Sequence, residues 1–315
     1  MRRRLTLFIT IILLAVADAS AQTDAQFSMY WALPAYTNPA AVAAGDNINV
    51  AALNRMQWVG LTNAPNTFFV TAEAPFRLFK KNQAAGLMIS SDKAGLFSTL
   101  NFALQYAYHL KLWGGRLSLG VRLGAIDQTF DGTQVDIPDT PDHMPGDEAI
   151  PRTSVSAMAF DAGFGAWYQH KHFYVGLSST HLSAPTLELD ELSYTEISRI
   201  YYLTGGGNIV LRNPLYELQP SFLLKSDFQF TQFDMTLRFM YNKMFWGGLS
   251  YRIGDAVIFM AGAQFKGIKV GYAYDLSTSA IASVSGGTHE LFASYNLKID
   301  FSPKTKNKHK SIRIL

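Results

Sequence analysis

The sequence predicts an all-β protein: a transmembrane antiparallel β-barrel of about 14 strands, preceded by a plug-like N-terminal segment. Three observations predict it: an export leader, apolar residues at every second position, and connections that alternate between short and long. With 48% hydrophobic and 16% charged residues, charges are scarcer than the roughly 25% of soluble domains. The absence of Cys argues against a disulfide-stapled fold. The net charge of +3 is too balanced to indicate nucleic acid as a partner.

The chain begins with the features of a secretory signal peptide. Three arginines at positions 2–4 precede an apolar stretch over residues 5–17, and Ala19-Ser20-Ala21 offers the small-x-small pattern of a cleavage site. The apolar stretch is too short to span the hydrocarbon of a membrane as a helix. We therefore predict that residues 1–21 are removed after Ala21 and that the mature chain is exported.

Residues 22–46 do not alternate and are interpreted separately from the barrel. They contain an aromatic stretch and a turn sequence whose central residues are Tyr36, Asn38 and Pro39, and Asn before Pro favours a tight turn. Two hypotheses remain open for this apolar segment. It tucks into the barrel as a plug, or it forms an exposed periplasmic strand.

The barrel itself is predicted over residues 47–301, from alternation that puts one apolar and one small or polar set on opposite faces of each strand. The strands are longer than those of most globular sheets, and the polar face suits a wet or plugged lumen. The predicted strands are 47–58, 66–76, 83–91, 97–112, 115–128, 156–169, 171–181, 199–211, 216–225, 229–241, 244–253, 256–265, 267–276 and 288–299.

Connection lengths assign the two rims of this barrel. Every even-numbered connection is short, whereas every long one is odd-numbered: 59–65, 92–96, 129–155, 182–198 and 277–287. Short periplasmic turns and long extracellular loops are typical of outer-membrane barrels, and an even strand count leaves both termini in the periplasm. Seven aromatic residues beside the short turns predict an interfacial girdle. They are Trp113, Trp167, Tyr168, Phe173, Tyr241, Phe245 and Trp246.

Two charged regions are candidate binding surfaces. The long loops 129–155 and 182–198 are acidic, and we predict that they contact a partner or remain solvated; Ca²⁺ binding is a weaker alternative. The candidate partner-binding residues are Asp136, Asp139, Asp142, Asp147, Glu148, Glu188, Asp190 and Glu191. The basic tail 302–315 is either a contact for anionic lipid or an acidic periplasmic component, or a solvated terminus.

Enzyme chemistry has no support in the sequence. No nucleophile elbow, phosphate loop or dinucleotide fingerprint is present. Gly205-Gly206-Gly207 is interpreted as a bulge or kink in a strand, and His170 and His172 as a solvated turn. His289 and Glu290 are adjacent on a strand and therefore point to opposite faces. We predict a protein that is not an enzyme and uses no cofactor or metal.

An ordered set of short motifs resembles the PorP/SprF family of outer-membrane proteins of the type IX secretion system. The set extends over about residues 26–297, and each motif is weak alone. The motifs are Gln26-Phe27-Ser28, Tyr36-x-Asn38-Pro39-Ala40, Asn54-Arg55-x-Gln57-Trp58, Asp92-Lys93-x-Gly95, Tyr106-x-Tyr108-His109-Leu110, Phe173 to Ser178, Asp255 to Ile258, Gly271-Tyr272-x-Tyr274-Asp275 and Ser285-Gly286-Gly287-x-His289-Glu290.

This resemblance implies a barrel that works with the type IX translocon and its periplasmic components. It implies binding or anchoring of a secreted, adhesin-like client protein at the cell surface, in some members tied to gliding motility. The alternative is an outer-membrane channel or a hydrophobic-solute transporter of the fatty-acid-transporter type. Period-two alternation predicts the barrel and the membrane, and only the resemblance implies secretion.

Overall fold

A computed structural model of the chain describes residues 24–45, 47–135, 151–190 and 193–298. The predicted signal peptide (1–21), the acidic stretch 136–150 and the basic tail (302–315) lie outside these residues. Among the described residues, no helix is long and apolar enough to cross a membrane.

Strands account for most of the described residues, and we number them β1 to β17 in chain order. They are β1 (Asn47–Met56), β2 (Asn66–Leu78), β3 (Lys81–Ala94), β4 (Phe97–Leu112), β5 (Gly115–Asp131), β6 (Ser154–Gln169), β7 (Phe173–Thr180), β8 (Thr186–Asp190), β9 (Ser193–Glu196), β10 (Ile200–Gly207), β11 (Ile209–Val210), β12 (Tyr216–Ser226), β13 (Thr231–Tyr241), β14 (Phe245–Arg252), β15 (Ala256–Phe265), β16 (Ile268–Ser277) and β17 (Thr288–Lys298).

Fourteen of these strands form one closed antiparallel barrel, which confirms the predicted fold class. Each strand pairs with its neighbours in the chain, with β10 pairing directly with β12. The sheet closes where β1 pairs with β17, from Asn47 opposite Lys298 to Met56 opposite His289. The two-residue β11 is a side pairing of β12. Closure leaves no unpaired edge, which a strand structure in hydrocarbon requires.

The two faces of the barrel are inverted relative to a soluble protein. On β5, Leu119, Val121 and Leu123 are 39–54% exposed and point outward, whereas Ser118 and Arg122 are 1% and 2% exposed and point into the lumen. The apolar band outside and the polar interior are those of a membrane barrel. The alternation read from the sequence is therefore confirmed, with its polar set on the inside.

The two rims differ as predicted in the length of their connections. At the short-turn rim, Phe79-Lys80, Trp113-Gly114 and Lys266-Gly267 are two-residue turns. Both residues of each turn have positive φ, the conformation that matches the right-handed twist of the flanking strands. The opposite, long-loop rim carries the four longest connections, 57–65, 132–153, 181–199 and 278–287, together with the short connections 95–96, 227–230 and 253–255.

Three local predictions were wrong. The connection predicted at 92–96 is only Gly95-Leu96, because Asp92 to Ala94 continue the pairing of β3 with β4. The predicted loop 182–198 contains the β8–β9 hairpin. The glycines at 205–207 contain no bulge, since their pairing with β7 continues in register through Gly207, and the strand is interrupted only at Asn208.

The aromatic girdle at the short-turn rim is smaller than predicted. Trp113, Phe173 and Phe245 are exposed on the outside, but Trp167 and Trp246 are 4% exposed and face the lumen. The reason is the strand period itself. Trp167 is adjacent to Tyr168, and Trp246 to Phe245, so neighbours in each pair must point to opposite faces.

The assignment of the faces predicts a depth-dependent cost of charge. Leu123 lies at the middle of β5 on the outer face, and Leu123→Arg should lower the free energy of unfolding by about 2–4 kcal/mol, because an arginine at the bilayer midplane loses its hydration. Leu78→Arg, at the short-turn end of β2, is the matched control and should cost about 0–1 kcal/mol. Equilibrium unfolding from vesicles in urea measures both. Equal costs would contradict the assignment.

Candidate functional site

The lumen is occupied by the N-terminal residues 24–45, which we call the plug. The plug contains three short helical turns, at Tyr30–Ala32, Pro34–Thr37 and Pro39–Ala41. Its apolar side chains are inside, with Phe27, Met29 and Leu33 at most 2% exposed. The apolar surface of the plug is thereby buried against the inner wall of the barrel.

The plug runs along the lumen from one rim toward the other. Asp24 lies toward the long-loop rim, where it contacts His181, just after β7, and Tyr202 near the start of β10. Ala43 lies toward the short-turn rim, where its backbone N–H donates to Glu73 Oε2 at 2.7 Å. The segment therefore crosses most of the barrel before it enters β1.

A cluster of buried charges holds the first turn of the plug, and we call it the latch. It comprises Ser28, Arg55, Asp234, Arg252, Asp275 and Glu290.

The carboxylate of Glu290 accepts the backbone N–H groups of Ser28 and Met29 at 2.8 and 2.7 Å. The hydroxyl of Ser28 donates to Asp275, 2.7 Å from Oδ2. Backbone N–H groups that lack a helical partner are satisfied by a strand side chain.

Two arginines compensate the three buried carboxylates of the latch. Arg55 on β1 is 2.9 Å from Asp275 Oδ2 and 3.2 Å from Glu290 Oε2. Arg252 on β14 is 3.1 Å from Asp234 Oδ2 and 3.3 Å from Asp275 Oδ2. Because these groups are almost completely buried, each charge depends on its partners for stabilisation.

A second polar cluster surrounds Asp24 near the long-loop rim. His181 lies between two carboxylates, with Nε2 2.9 Å from Asp24 Oδ1 and Nδ1 3.1 Å from Asp161 Oδ1. Tyr202 donates its hydroxyl to Asp24 Oδ2 at 2.9 Å, and Lys225 donates to the backbone carbonyl of Asp24 at 2.8 Å. Three separate parts of the barrel thus bind the start of the plug, and Asp161 on β6 contacts the histidine among them.

The His181 imidazole carries a positive charge at neutral pH because of this environment. Burial by itself lowers the pKa of His181, but the carboxylates of Asp24 and Asp161 outweigh it and raise the pKa to about 9. Burial also raises the pKa of Asp24, yet the nearby charges of His181 and Lys225 hold it well below its usual range. The cluster is therefore an ion pair between plug and wall.

The predicted turn residues Tyr36, Asn38 and Pro39 lie in the middle of the plug. The ring of Tyr36 packs edge-on against Phe69, with 5.2 Å between ring centroids, and its hydroxyl donates to the carbonyl of Ala25. Asn38 is fully buried and donates from Nδ2 to the carbonyl of Ala166 on β6 at 3.0 Å. Its Oδ1 accepts the N–H of Ala40, which caps the turn that Pro39 begins.

Two glycines of the wall make room for this turn. A Cβ at Gly120 on β5 would lie 2.3 Å from Ala40 N, and one at Gly165 on β6 would lie 2.1 Å from Asn38 Oδ1. Any side chain at these positions would displace the plug backbone.

Toward the short-turn rim, Trp31 is held by cations and another indole. The guanidinium carbon of Arg238 is 3.5 Å from the Trp31 ring centroid, and Lys269 Nζ is 4.3 Å from it. The ring of Trp246 meets Trp31 at 86° with 4.9 Å between centroids. These cation–π contacts join the plug to the wall, and they are strongest where the groups are shielded from water.

The acidic residues predicted for partner binding fall into two groups. Glu188 and Asp190 are exposed on the β8–β9 hairpin. That hairpin is held by Leu187, which is 1% exposed and packs with Ile126 and Ile197. The other candidates lie outside the described residues: Asp136, Asp139, Asp142, Asp147, Glu148 and Glu191.

The remaining histidine motifs have structural surroundings. His289 is on the outer face, where its Nδ1 is 2.7 Å from the hydroxyl of Tyr272, whereas Glu290 points into the latch. The rings of His170 and His172 are 5.9 Å apart in the β6–β7 turn. Within the described ranges, no three His, Cys, Asp or Glu side chains are grouped so that they could hold a metal ion.

Sequence reasoning identified the plug turn but missed the latch and the Asp24 cluster. A signal was available, because Arg55, Arg252, Asp275 and Glu290 are charges at lumen-facing positions of apolar strands. Charges at such positions need partners, but the alternation could not indicate which strands face each other across the lumen.

The chain has distant similarity to several solved structures. Among solved structures, the monoaromatic hydrocarbon channel CymD has 12% identity and a TM-score of 0.47, covering 87% of this chain and 93% of that one. The Acinetobacter baumannii outer-membrane protein Omp33 has 8% identity and a TM-score of 0.46, covering 80% and 98%. The translocator domain of the autotransporter NalP from Neisseria meningitidis has 10% identity and a TM-score of 0.46, covering 82% and 92%.

These similarities are too weak to bear on what the present chain binds or transports. No curated protein matches the chain. The family described as "Type IX secretion system membrane protein PorP/SprF", in contrast, matches residues 19–295.

The closed fourteen-stranded barrel with its apolar outer band and filled lumen defines an outer-membrane β-barrel protein. The chain belongs to the PorP/SprF family of type IX secretion system membrane proteins. The fold class and the family implied by the sequence motifs are both confirmed.

The latch predicts that one arginine controls the retention of the plug. Arg55→Met leaves Glu290 buried without its cation and Asp275 with Arg252 alone, a loss of about 3–5 kcal/mol. We expect chymotrypsin, which cleaves after aromatic residues, to cut the plug of this variant in detergent much faster than that of the wild type. Lys93→Met, at an exposed position of the long-loop rim, is the control and should leave the rate unchanged. Equal protection of both variants would show that the latch does not retain the plug.

The Asp24 cluster predicts that the start of the plug loosens in alkaline solution. Because the pKa of His181 is raised from 6.5 to about 9 in the folded protein, its stabilisation is complete below pH 6.5 and is lost as the pH rises through about 9. Hydrogen exchange of the plug amides should therefore accelerate, beyond the intrinsic pH effect, across that window. His181→Gln should remove the additional acceleration, and His289→Gln on the outer face should keep it. A pH profile unaffected by His181→Gln would contradict the assignment.

Proposed function

We propose that this protein is an outer-membrane component of the type IX secretion system that binds a secreted, adhesin-like client and supports its export or surface attachment, with a link to gliding motility. The observation that carries the proposal is the family match across residues 19–295. The barrel serves as the membrane anchor, and its exposed parts bind the client, the translocon and the periplasmic components. The mechanism is binding and contains no covalent step.

In the proposed orientation the short-turn rim faces the periplasm and the long-loop rim faces outward. The difference between the two rims supports it, because outer-membrane barrels typically have short periplasmic turns and long external loops. In this orientation both termini of the mature chain are periplasmic. The proposal also includes cleavage of the signal peptide near Ala21, and it does not include nucleic acid as a partner.

The client surface in this proposal is the acidic part of the long-loop rim. Glu188 and Asp190 are exposed on a hairpin that Leu187 fixes to the barrel, so their position is set before a partner binds. The acidic residues of the neighbouring stretch 136–150 add charge of the same sign. Complementary charge would favour a client with a basic surface and raise its rate of association.

A passive channel or hydrophobic-solute transporter is the second candidate function, and the filled lumen argues against it. The plug binds opposite walls of the barrel, through the latch on β1, β13, β14, β16 and β17 and through Asn38 on β6. A solute path would require breaking several buried ion pairs. Conductance in planar bilayers separates the two functions: an ion-tight barrel supports the anchoring function, and steady conductance supports a channel.

The experiment that tests the proposal directly is a crosslinking pull-down of the tagged barrel from native outer membranes, with partners identified by mass spectrometry. Recovery of a large secreted protein together with translocon subunits would support it and identify the client. Recovery of the barrel alone or with lipid would favour the transporter.

The acidic rim gives a specific prediction for the same pull-down. Replacing Asp136, Asp139, Glu188 and Asp190 by their amides should reduce client recovery several-fold, because the charge that attracts the client is removed while side-chain volume is kept. Lys93→Gln, a charge change on the same rim, should leave recovery intact. Undiminished recovery with the amide variant would move the client surface elsewhere on the barrel.

A further inference from the structure

Positive charge is repeated at every turn of the short-turn rim. Five of the six turns contain a cation within the turn itself, and the Trp113-Gly114 turn is flanked by Lys111 and Arg116. The five cations are Lys80, Lys171, Arg212, Lys243 and Lys266. None of the six turns contains Asp or Glu. Because the net charge of the chain is only +3, this ring of charge reflects placement and not composition.

The turn cations are available to a ligand. Within the described residues, Lys80, Lys171, Arg212 and Lys266 form no ion pair, and Lys243 Nζ reaches Glu217 only at 4.0 Å with 77% of its side chain exposed. This differs from the lumen, where the latch and the Asp24 cluster pair their cations with carboxylates. The cations of the turns can therefore bind an anion from outside the barrel.

Each of these turns also presents an apolar side chain outward. Phe79 and Trp113 are 87% and 83% exposed, and Phe173, Phe245 and Phe265 are exposed at the other turns. At the sixth turn Leu215 has this role. Lys266 Nζ is 5.1 Å from the ring centroid of Phe265, so cation and ring lie side by side on the rim.

Aromatic rings beside lysines are the arrangement that suits a membrane interface. The ring lies at the boundary of the acyl chains while the flexible lysine extends its charge to the headgroup layer. A lysine or arginine near an anionic bilayer surface gains about 1 kcal/mol, within a Debye length.

We propose that the short-turn rim is a binding ring for the phosphate groups of anionic phospholipids in the leaflet that it faces. The distribution of the sites favours lipid over an acidic protein. A protein partner would contact one arc of the rim, whereas cation and apolar side chain recur around the whole circumference, as an annulus of lipid does. This inference does not depend on the proposed client function.

The test uses the full-length barrel in vesicles that contain phosphatidylcholine with a minor share of phosphatidylglycerol. Photoactivatable analogues of each lipid are crosslinked, and mass spectrometry counts adducts on the peptides that contain Phe79, Phe173 and Phe265. In the wild type the adducts should be enriched in phosphatidylglycerol over the bulk ratio at all three turns, and high salt should reduce the enrichment.

Matched double variants make the test local. In Lys80→Gln/Lys266→Gln the enrichment should fall about fivefold at the Phe79 and Phe265 turns. It should persist at the Phe173 turn, where Lys171 is intact. Lys80→Arg/Lys266→Arg keeps the charge and should keep the enrichment. Lys93→Gln/Arg152→Gln, on the long-loop rim, should have no effect.

A bulk lipid ratio at all three turns of the folded wild type would overturn the proposal. So would an enrichment that the double glutamine variant does not change. A third outcome would assign the ring to an acidic protein partner. In that case polyglutamate would bind the wild-type barrel and bind the glutamine variant more weakly, while the lipid ratio at the turns stayed at the bulk value.

Discussion

The constraint on which this structure depends is that a charged or polar group inside a membrane barrel must find a partner in protein. Closure of the sheet satisfies the backbone, but the alternation that gives the outer face its apolar band also sends polar side chains inward. Those side chains include Arg55, Arg252, Asp275 and Glu290, all almost fully buried. The plug and the wall satisfy each other's hydrogen-bonding groups, because the plug supplies a hydroxyl and backbone N–H donors and the wall supplies charged groups and acceptors.

The latch also links parts of the chain that are far apart in sequence. Arg55 is on the first barrel strand and Glu290 on the last, and these two strands are the pair that closes the sheet. Since both bind the turn at Ser28, seating of the plug and closure of the barrel draw on the same interactions. The filled lumen is then part of the folded core and not an addition to a finished barrel.

The two rims divide the remaining surface by charge. The long-loop rim carries exposed acidic side chains on a hairpin fixed by Leu187, whereas the short-turn rim carries cations beside aromatic rings. Such a division suits a protein that is held at one interface and binds at the other. With the lumen filled, the proposed recognition of a client uses these rims rather than a path through the barrel.

The sequence by itself determined the barrel, its fourteen strands and the difference between the rims, because each rests on a local period or on a connection length. Adjacent residues of a strand also lie on opposite faces, so the sequence assigns Trp167 and Tyr168 to different sides of the barrel wall. Only the tertiary structure decided which lumen-facing residues meet. Ser28, Arg55 and Glu290 are adjacent because the sheet closes and curves around the plug, and no periodicity within a strand encodes that distance. For the same reason the turn at Asn38 could be predicted from Asn before Pro, while its contact with Gly165 could not.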